Sequence, residues 1–296
     1  MTDLPPVPAI YFLSDYGTTD EFAGVVRAVL HRGALGVPVI DLTHQVPHFD
    51  VSAGAAALAR ARPYLGPGAV LAVVDPRVGT SRRGVALRVK DQAPGQGAGQ
   101  GRGQAPGQTG AKASSGPEWW VGPDNGLLVP AAESFGGVAA VYGLNTEPGS
   151  TFDGRDVFAP AIAHLIGGGD PVSLGTEMDP ASLVRLPDLP PDHFEGEVLV
   201  TSVTHIDGFG NTQLQAGPDD LARLELAIGS RVEVELASGQ TLDAKRVEAF
   251  GDLGRGEFGI LADSNGHLAL VLDQSSAAGH LGLDGSHHEV RLRRSD

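Results

Sequence analysis

The sequence predicts an α/β fold with two domains: an N-terminal domain with a mostly parallel sheet and flanking helices, and a smaller C-terminal all-β barrel-like domain. In the first part of the chain, apolar runs suited to strands alternate with helical segments, which is the order of a parallel sheet. Beyond the proline-rich stretch Pro187–Pro191, short apolar runs follow at close spacing, separated by Gly, Asn and Asp, as in small barrels. We therefore expect an N-terminal domain over 1–186, a linker over 187–192 and a C-terminal domain over 193–296.

The N-terminal domain is expected to open with two strand–helix units and a third strand. The strands are expected at 10–14, 37–40 and 69–74, and the helices at about 18–31 and at 51–61. Thr18 and Glu21 have the spacing of a capping box, which places the start of the first helix beside them. Pro38 has no N–H to donate to a neighbouring strand, so it should lie at the start of the second strand.

A low-complexity segment interrupts the rest of this domain. Residues 92–116 consist mainly of Gly, Gln, Ala and Pro, and we expect a flexible loop there between facing strands at 85–89 and 119–121. The loop contains Gly95-Gln96-Gly97-Ala98-Gly99, but no apolar helix follows, as a dinucleotide-binding motif would require. A helix at 127–135, a strand at 138–142 and a helix ending near 166 complete the domain.

Short strands separated by turns account for most of the C-terminal domain. They are expected at 197–206, 231–236, 241–247, 258–262, 268–272 and 290–292. This spacing is typical of a small barrel or sandwich.

The composition excludes several classes of protein. The 296 residues carry a formal net charge of −15 with only 21 Lys and Arg, which argues against a nucleic-acid-binding surface. With no cysteine, the chain has no disulfide, no zinc–cysteine site and no thiol nucleophile. No apolar run approaches the roughly 20 residues of a membrane helix, and the first residues lack the pattern of a signal peptide. We expect a cytoplasmic protein that does not bind membranes.

Polar turns after the predicted strands are the candidates for chemistry in the N-terminal domain. Asp15 follows the first strand, Asp75 follows the third, and Arg82 comes shortly after Asp75. Because ligands bind at the carboxyl ends of strands in α/β sheets, these groups, Phe49 and the turn at 151–156 should meet at one edge. The alternative for Asp75 and Arg82 is a surface ion pair. The alternatives for Asp15 and Phe49 are a helix cap and a position in the core.

In the C-terminal domain, Asp207, Phe209 and Asn211 lie close together after the first long strand. A phenylalanine ring can stack on a purine, an asparagine can bind its edge, and a carboxylate can bind an ammonium group. The alternative is a β-turn, since Asp, Gly and Asn are turn formers. Ser264-Asn265-Gly266 is likewise either an ordinary turn or a clamp for a carboxylate. The sequence contains no Walker A loop, no His-Glu-x-x-His zinc motif and no Gly-x-Ser-x-Gly elbow.

Taken together, these turns resemble those of the S-adenosyl-L-methionine (SAM) hydroxide adenosyltransferases, or SAM hydrolases, which are relatives of fluorinases and chlorinases. The matching segments occur in the family's order over nearly the whole chain. They are Ser14-Asp15-Tyr16-Gly17, Asp41-Leu42-Thr43-His44, Val74-Asp75-Pro76 with Val78-Gly79-Thr80 and Arg82, Gly122-Pro123-Asp124-Asn125-Gly126, Gly154-Arg155-Asp156 with Phe158-Ala159-Pro160, Asp207 with Phe209-Gly210-Asn211, and Ser264-Asn265-Gly266. The resemblance implies a homotrimer with SAM bound between subunits and no metal or organic cofactor.

The resemblance also implies a role for each candidate residue. It assigns the parts of SAM as follows: the ribose to Asp15 and Phe49, the adenine to Phe209, Asn211 and Phe250, and the methionine to Asp207, Ser264 and Asn265. Asp75 and Arg82 match two of the three family residues that position a water molecule behind ribose C5′.

The third of these positions departs from the family pattern, because Asp153 stands where the family has a His. A carboxylate can accept a proton from water, and Arg82 could pair with both Asp75 and Asp153, although two nearby carboxylates can raise one another's pKa. An anionic Asp75 would repel halide, so the sequence favours hydrolysis of SAM to adenosine and L-methionine. The alternative functions are a catalytically impaired SAM- or adenosine-binding protein and a halide adenosyltransferase.

Overall fold

The computed structural model of the protein describes residues 7–90, 116–146, 149–285 and 287–295. These residues form two compact units, one extending to Leu186 and the other beginning at Pro187. The loop expected over 92–116 lies, apart from Gly116, outside the described residues. None of the helices in the described ranges is long and apolar enough to cross a membrane.

Within the described residues, the N-terminal unit contains seven strands and four α-helices. The strands are β1 (Ala9–Ser14), β2 (Val39–Thr43), β3 (Gly68–Val73), β4 (Gly84–Val89), β5 (Pro117–Pro123), β6 (Val138–Leu144) and β7 (Gly175–Met178). The helices are α1 (Phe22–Gly33), α2 (Val51–Ala61), α3 (Val129–Ser134) and α4 (Ala159–Ile166). All the expected strands and helices of this unit are present. β7 is an addition, because its sequence Gly-Thr-Glu-Met has no apolar alternation that would have predicted a strand.

The strands of the N-terminal unit form one sheet in the order β2-β1-β3-β5-β4-β6-β7. β2, β1, β3 and β5 run parallel, whereas the pairs β5–β4, β4–β6 and β6–β7 are antiparallel. β6 therefore points the same way as β5, and only β4 and β7 are reversed among the described strands. The mostly parallel sheet is confirmed, and the carboxyl ends of its central strands β1, β3 and β5 lie side by side at one edge.

Helices cover both faces of this sheet. Successive residues of a strand point to opposite faces, so Ile10 and Phe12 of β1 pack in the core that contains α1 and α4. Tyr11 and Leu13 pack in the core that contains α2 and α3. Burial on both faces explains why β1 and β3 are continuous apolar runs.

Helix α1 begins later than the sequence suggests. It starts at Phe22 with Glu21 as N-cap, and no side chain of the described residues makes a capping hydrogen bond there. The capping box expected from Thr18 and Glu21 is therefore wrong, and Thr18 lies exposed before the helix. Gly17, with a φ of +72°, turns the chain directly after Tyr16. The helix is held by packing of its buried face, and residues 15–21 are left as a loop at the sheet edge.

In the part of the chain that the structure describes, the C-terminal unit has eight strands and two α-helices. The strands are β8 (His193–Glu195), β9 (Val198–Ile206), β10 (Thr212–Leu214), β11 (Arg231–Leu236), β12 (Thr241–Arg246), β13 (Phe258–Ala262), β14 (Leu268–Leu272) and β15 (Glu289–Arg294). The helices are α5 (Pro218–Arg223) and α6 (Ala277–Leu281).

The strands of the C-terminal unit close into a barrel. They follow the order β10-β14-β13-β12-β11-β15-β9, and β9 pairs again with β10. β8 extends the sheet outside this ring by pairing with β9. The inward side chains, among them Val203, Val234 and Ile260, form one buried core. The barrel expected from the sequence is confirmed, although β8 and β10, at three residues each, are too short for a periodic pattern to predict.

Candidate active site

Three charged side chains meet beyond the carboxyl ends of the central strands. Asp75 lies two residues after β3, Arg82 lies two residues before β4, and Asp153 precedes a π-helical turn (Gly154–Phe158) that leads into α4. Arg82 donates from Nε to Asp75 Oδ1 at 3.1 Å and from Nη2 to Asp75 Oδ2. The same Nη2 donates to Asp153 Oδ2 at 2.6 Å. One guanidinium therefore bridges two carboxylates, and we call these three residues the charged trio.

The charged trio is buried. The exposed fraction of the side chain is 4% for Arg82, 6% for Asp75 and 4% for Asp153. The surface ion pair, the alternative for Asp75 and Arg82, is therefore wrong. Salt screens a pair at this depth only weakly, and removing one partner would leave an uncompensated buried charge.

The environment of Asp75 makes it a stronger base than an ordinary aspartate. Burial raises the pKa of the Asp75 carboxyl, and the negative charge of Asp153 adds to the increase. The charge and the hydrogen bonds of Arg82 oppose this increase without cancelling it. A carboxylate with a raised pKa accepts a proton from water more readily.

Two polar atoms of the charged trio have no hydrogen-bond partner among the described residues. They are Arg82 Nη1, a donor, and Asp153 Oδ1, an acceptor, and both are buried. An unpaired buried polar group costs about 1–3 kcal/mol, so such a pair indicates a binding position for a small polar molecule such as water. The ring of Phe158 lies 5.4 Å from the guanidinium carbon of Arg82 and provides an apolar wall.

Asp15 and Phe49 lie at the same sheet edge. Asp15 directly follows β1, and its Oδ2 accepts a hydrogen bond from the backbone N–H of Phe49 at 2.9 Å. Phe49 has a φ of +68° and is 69% exposed. A non-glycine residue in this left-handed region is strained, and the bond from Asp15 helps to hold it there. Both structural alternatives are therefore wrong, because Asp15 does not cap α1 and Phe49 is not in the core.

Tyr16 is a neighbour of the charged trio, and although it belongs to a segment that matches the family pattern, no role was predicted for it. Its hydroxyl packs against Gly154, where a Cβ atom would come within 2.0 Å of the hydroxyl oxygen. Burial raises the pKa of Tyr16 far above its ordinary value, and the negative charges of Asp15, Asp75 and Asp153 raise it further. The hydroxyl therefore stays protonated beside these carboxylates. The sequence feature that could have indicated Tyr16 is its position directly after Asp15, just past the end of β1.

In the C-terminal unit, Asp207, Phe209 and Asn211 form the turn between β9 and β10. Asp207 Oδ1 accepts hydrogen bonds from the backbone N–H groups of Phe209 and Asn211, each at 2.9 Å. Asp207 Oδ2 accepts one from Asn211 Nδ2 at 2.8 Å. Asp207 thus acts as the turn former that its alternative interpretation expects. Phe209, at the tip, is 83% exposed, so its ring is available for stacking.

Ser264 and Asn265 lie exposed in the turn between β13 and β14. Asp263, which the sequence pattern did not indicate, organises this turn. Its Oδ1 accepts hydrogen bonds from the backbone N–H groups of Asn265 at 2.8 Å and His267 at 3.0 Å. Its Oδ2 accepts one from Gln213 Nε2 on β10. The turn is therefore tied to the strand that follows Asn211.

The register of β10 and β14 shows that the turns at 207–211 and 263–267 lie at different positions along β14. In the antiparallel pair β10–β14, Thr212 lies opposite Leu270. The turn at 207–211 therefore lies toward the end of β14, and the turn at 263–267 precedes its start. His267 lies three positions before Leu270, which is about 10 Å at the rise of a strand. Phe250, at the start of a 3₁₀ turn between β12 and β13, is also exposed.

Both units of this chain match known protein families and relatives. Residues 10–94 and 104–175 match the SAM hydroxide adenosyltransferase N-terminal domain, and residues 201–288 match the C-terminal domain of that family. A Salinispora tropica protein named (R)-S-adenosyl-L-methionine hydrolase is 38% identical over 286 residues, which cover 95% of this chain and 96% of the relative. A fluorinase of an Actinoplanes species is 31% identical, with 92% of this chain and 93% of the relative covered.

The fold has a counterpart among solved structures. The crystal structure of an uncharacterized conserved protein from Thermotoga maritima aligns with a TM-score of 0.77 and 29% identity, covering 96% of this chain and all of that one. The family matches extend over most of the chain and include the charged trio and both turns of the barrel. The chain belongs to the SAM hydroxide adenosyltransferase family.

Proposed function

We propose that the protein hydrolyses SAM to adenosine and L-methionine by attack of water on ribose C5′. The observation that carries the proposal is the charged trio, with an unpaired donor on Arg82 and an unpaired acceptor on Asp153. In this proposal one water molecule accepts a hydrogen bond from Arg82 and donates one to Asp153. The hydrolase name of a relative that is 38% identical over nearly its whole length supports the same reaction.

The reaction needs a positioned base and no acid. The sulfonium sulfur of SAM leaves C5′ with the bonding electron pair and becomes the neutral thioether of methionine. The water oxygen forms the new bond to C5′, and one of its protons passes to a carboxylate and then to solvent. Asp75 is the residue we assign to that proton, because its pKa is raised. We propose no metal or organic cofactor, since the leaving group needs no activation and the carboxylate supplies the base.

The charge of the trio favours hydrolysis over halide transfer. With both carboxylates ionised, two negative charges and one positive charge leave a net charge of −1. A buried anionic group attracts the sulfonium cation and repels a halide ion, and low dielectric strengthens both effects. Fixed hydrogen bonds to a water in line with C5′ would lower the barrier by orientation and by charge stabilisation.

The remaining candidate residues are proposed to bind the parts of SAM. Asp15 and Phe49 would hold the ribose, while Phe209, Asn211 and Phe250 would enclose the adenine. The methionine would be held by Asp207, Ser264 and Asn265. Support comes from the exposure of all three phenylalanines, since ligand sites are lined mainly by apolar and aromatic side chains.

A homotrimer in the cytoplasm is also part of the proposal. The N-terminal unit of one subunit and the C-terminal unit of its neighbour would bind one SAM molecule, which would cover Phe49 and Phe209. A cytoplasmic location is compatible with a chain that lacks cysteine. Analytical ultracentrifugation should show a trimer, and a monomer that keeps full activity on dilution would contradict this part.

The reaction is tested with purified protein and SAM in buffer made with H₂¹⁸O, without and with added chloride or fluoride. We expect equal amounts of adenosine and methionine, with ¹⁸O in the 5′-hydroxyl by mass spectrometry and no need for halide. A 5′-halogenated nucleoside would support halide transfer instead. Absence of product, together with saturable adenosine binding in calorimetry, would overturn hydrolysis and support the impaired binding protein. The Asp75→Ala variant controls for spontaneous breakdown of SAM.

A further inference from the structure

We propose that the turn Gly122–Gly126 positions the catalytic loop, defined as residues 74–83 between β3 and β4, and that Asn125 and Asp124 are positioning residues. The inference rests on the proposed function and extends it to residues outside the charged trio. It is carried by hydrogen bonds at both ends of the loop.

Asn125 holds the start of the catalytic loop. Its Nδ2 donates to the backbone carbonyl oxygen of Val74 at 2.8 Å. Val74 is fully buried, lies just past the end of β3 and directly precedes Asp75. The Asn125 side chain is itself oriented, because its Oδ1 accepts the backbone N–H of Leu127 at 3.2 Å. The amide therefore fixes the peptide from which the Asp75 side chain departs.

Asp124 holds the end of the catalytic loop. Its backbone N–H donates to the carbonyl oxygen of Arg83 at 2.9 Å, and the Arg83 guanidinium donates to its carboxylate. The other carboxylate oxygen accepts the backbone N–H of Val184 at 2.9 Å. The Asp124 side chain is 1% exposed, so it is a fixed anchor for the residue next to Arg82.

These contacts fix the residues that flank Asp75 and Arg82. Arg82 and Asp75 can form their two hydrogen bonds only if both ends of the loop keep their positions. The turn can approach β3 closely because residue 122 is glycine, where a Cβ atom would lie 2.2 Å from the carbonyl oxygen of Ala72. Because a misplacement of about 1 Å can cost about 100-fold in rate, the turn should control turnover although, within the described residues, the side chains of Asn125 and Asp124 form no hydrogen bond with those of the trio.

The test compares Asn125→Ala with the matched control Tyr11→Phe. The Tyr11 hydroxyl accepts the backbone N–H of Gly66 at 2.8 Å, in the segment that enters β3. The control therefore removes one hydrogen bond at the opposite end of the same strand. Asn125→Asp is the second variant, because it keeps an acceptor for Leu127 and loses the donor for Val74.

For both Asn125 variants we expect kcat for adenosine formation to fall by about 100-fold with KM for SAM nearly unchanged. The control should keep the kcat of the wild type. In addition, hydrogen–deuterium exchange of the ligand-free protein should be faster within residues 74–83 in the Asn125 variants and unchanged there in the control. This second measurement does not depend on catalysis.

The outcomes separate this inference from the proposed function. If the wild type forms no adenosine, the proposed function fails, and exchange in residues 74–83 still decides the positioning role. Unchanged exchange in those residues overturns the inference. It is also overturned if the wild type is active and the folded Asn125 variants keep its kcat, or if the control loses as much activity as they do.

Discussion

The two units of the molecule hold their candidate site residues in opposite ways. In the N-terminal unit, Asp75, Arg82 and Asp153 are buried and joined by hydrogen bonds through one guanidinium. In the C-terminal unit, Phe209 is exposed at the tip of a turn, and Asp207 uses its carboxylate to fold that turn. The fold alone brings the charged trio together, whereas the turn of Phe209 exposes an aromatic ring that a ligand can cover.

This difference matches two different physical tasks. Water activation needs charged groups that are fixed and removed from solvent, so those groups are coupled to the stability of the fold. Recognition of a flat ring needs an accessible aromatic face, which contributes little to folding until it is covered. Changes in the charged trio should therefore affect turnover and unfolding together, and changes at the barrel turns should affect mainly substrate affinity, with a small effect on unfolding.

The largest effect is expected for Asp75→Asn. The change removes the proposed base but keeps the shape of the side chain, so kcat should fall by about 10²- to 10⁴-fold, the usual contribution of a general base. Adenosine affinity, measured by calorimetry, should be unchanged. Asp179→Asn, at an exposed 3₁₀ turn, is the control and should keep full activity. A variant at position 75 with the kcat of the wild type would refute the assignment of the base.

Arg82→Ala should have the largest effect on stability. It leaves two buried carboxylates without their cation, so we expect the free energy of unfolding to fall by about 3–5 kcal/mol. Both tryptophans, Trp119 and Trp120, lie on β5, so their fluorescence during urea unfolding reports on the N-terminal unit. Asp207→Ala, measured by circular dichroism, should cost only about 1 kcal/mol, because its bonds lie in a surface turn. If Arg82→Ala and Asp207→Ala lost the same free energy of unfolding, the proposed difference between the two units would be wrong.

Phe209→Ala should change affinity with little change in turnover. Loss of stacking on a base costs about 1–3 kcal/mol, which corresponds to roughly a 5- to 150-fold increase in KM for SAM. The free energy of unfolding should change by less than about 0.5 kcal/mol, since the side chain is exposed. Phe209→Trp, which keeps an aromatic face, should retain most of the affinity. A loss of kcat with unchanged KM would place Phe209 in the chemistry and remove it from binding.

The smallest effect is expected in the pH dependence of kcat. Activity requires ionised Asp75, so it should be lost as the pH falls through a pKa that burial raises above the ordinary aspartate range. Asp153→Asn removes a negative charge that contributes to this increase, so the acidic limb of the profile should move to lower pH. A shift to higher pH would show that Asp153 does not act on Asp75 in this way. Asp153→His, compared over the same range, tests whether the carboxylate replaces a histidine in function.

Local sequence patterns predicted some helices and strands of the fold better than others. The boundaries of α2, β11, β13 and β14 were predicted as the structure has them, α2 from its alanine-rich composition and the strands from their short apolar runs. The start of α1 was predicted too early, because the capping spacing of Thr18 and Glu21 competes with the turn at Gly17. Strands of three residues, such as β10, contain too few residues to show a period, yet β10 closes the barrel.

The apolar runs, the polar turns that end them and the set of motifs that resembles the family could all be recognised in the sequence, because these are properties of neighbouring residues. Only the three-dimensional fold shows that Arg82 reaches Asp153 as well as Asp75, that Tyr16 packs against Gly154, and that Asp207 hydrogen-bonds within its own turn. The contacts of Arg82 with Asp153 and of Tyr16 with Gly154 join residues far apart in the chain. Their geometry depends on how the strands align in the sheet, and no local pattern encodes that alignment.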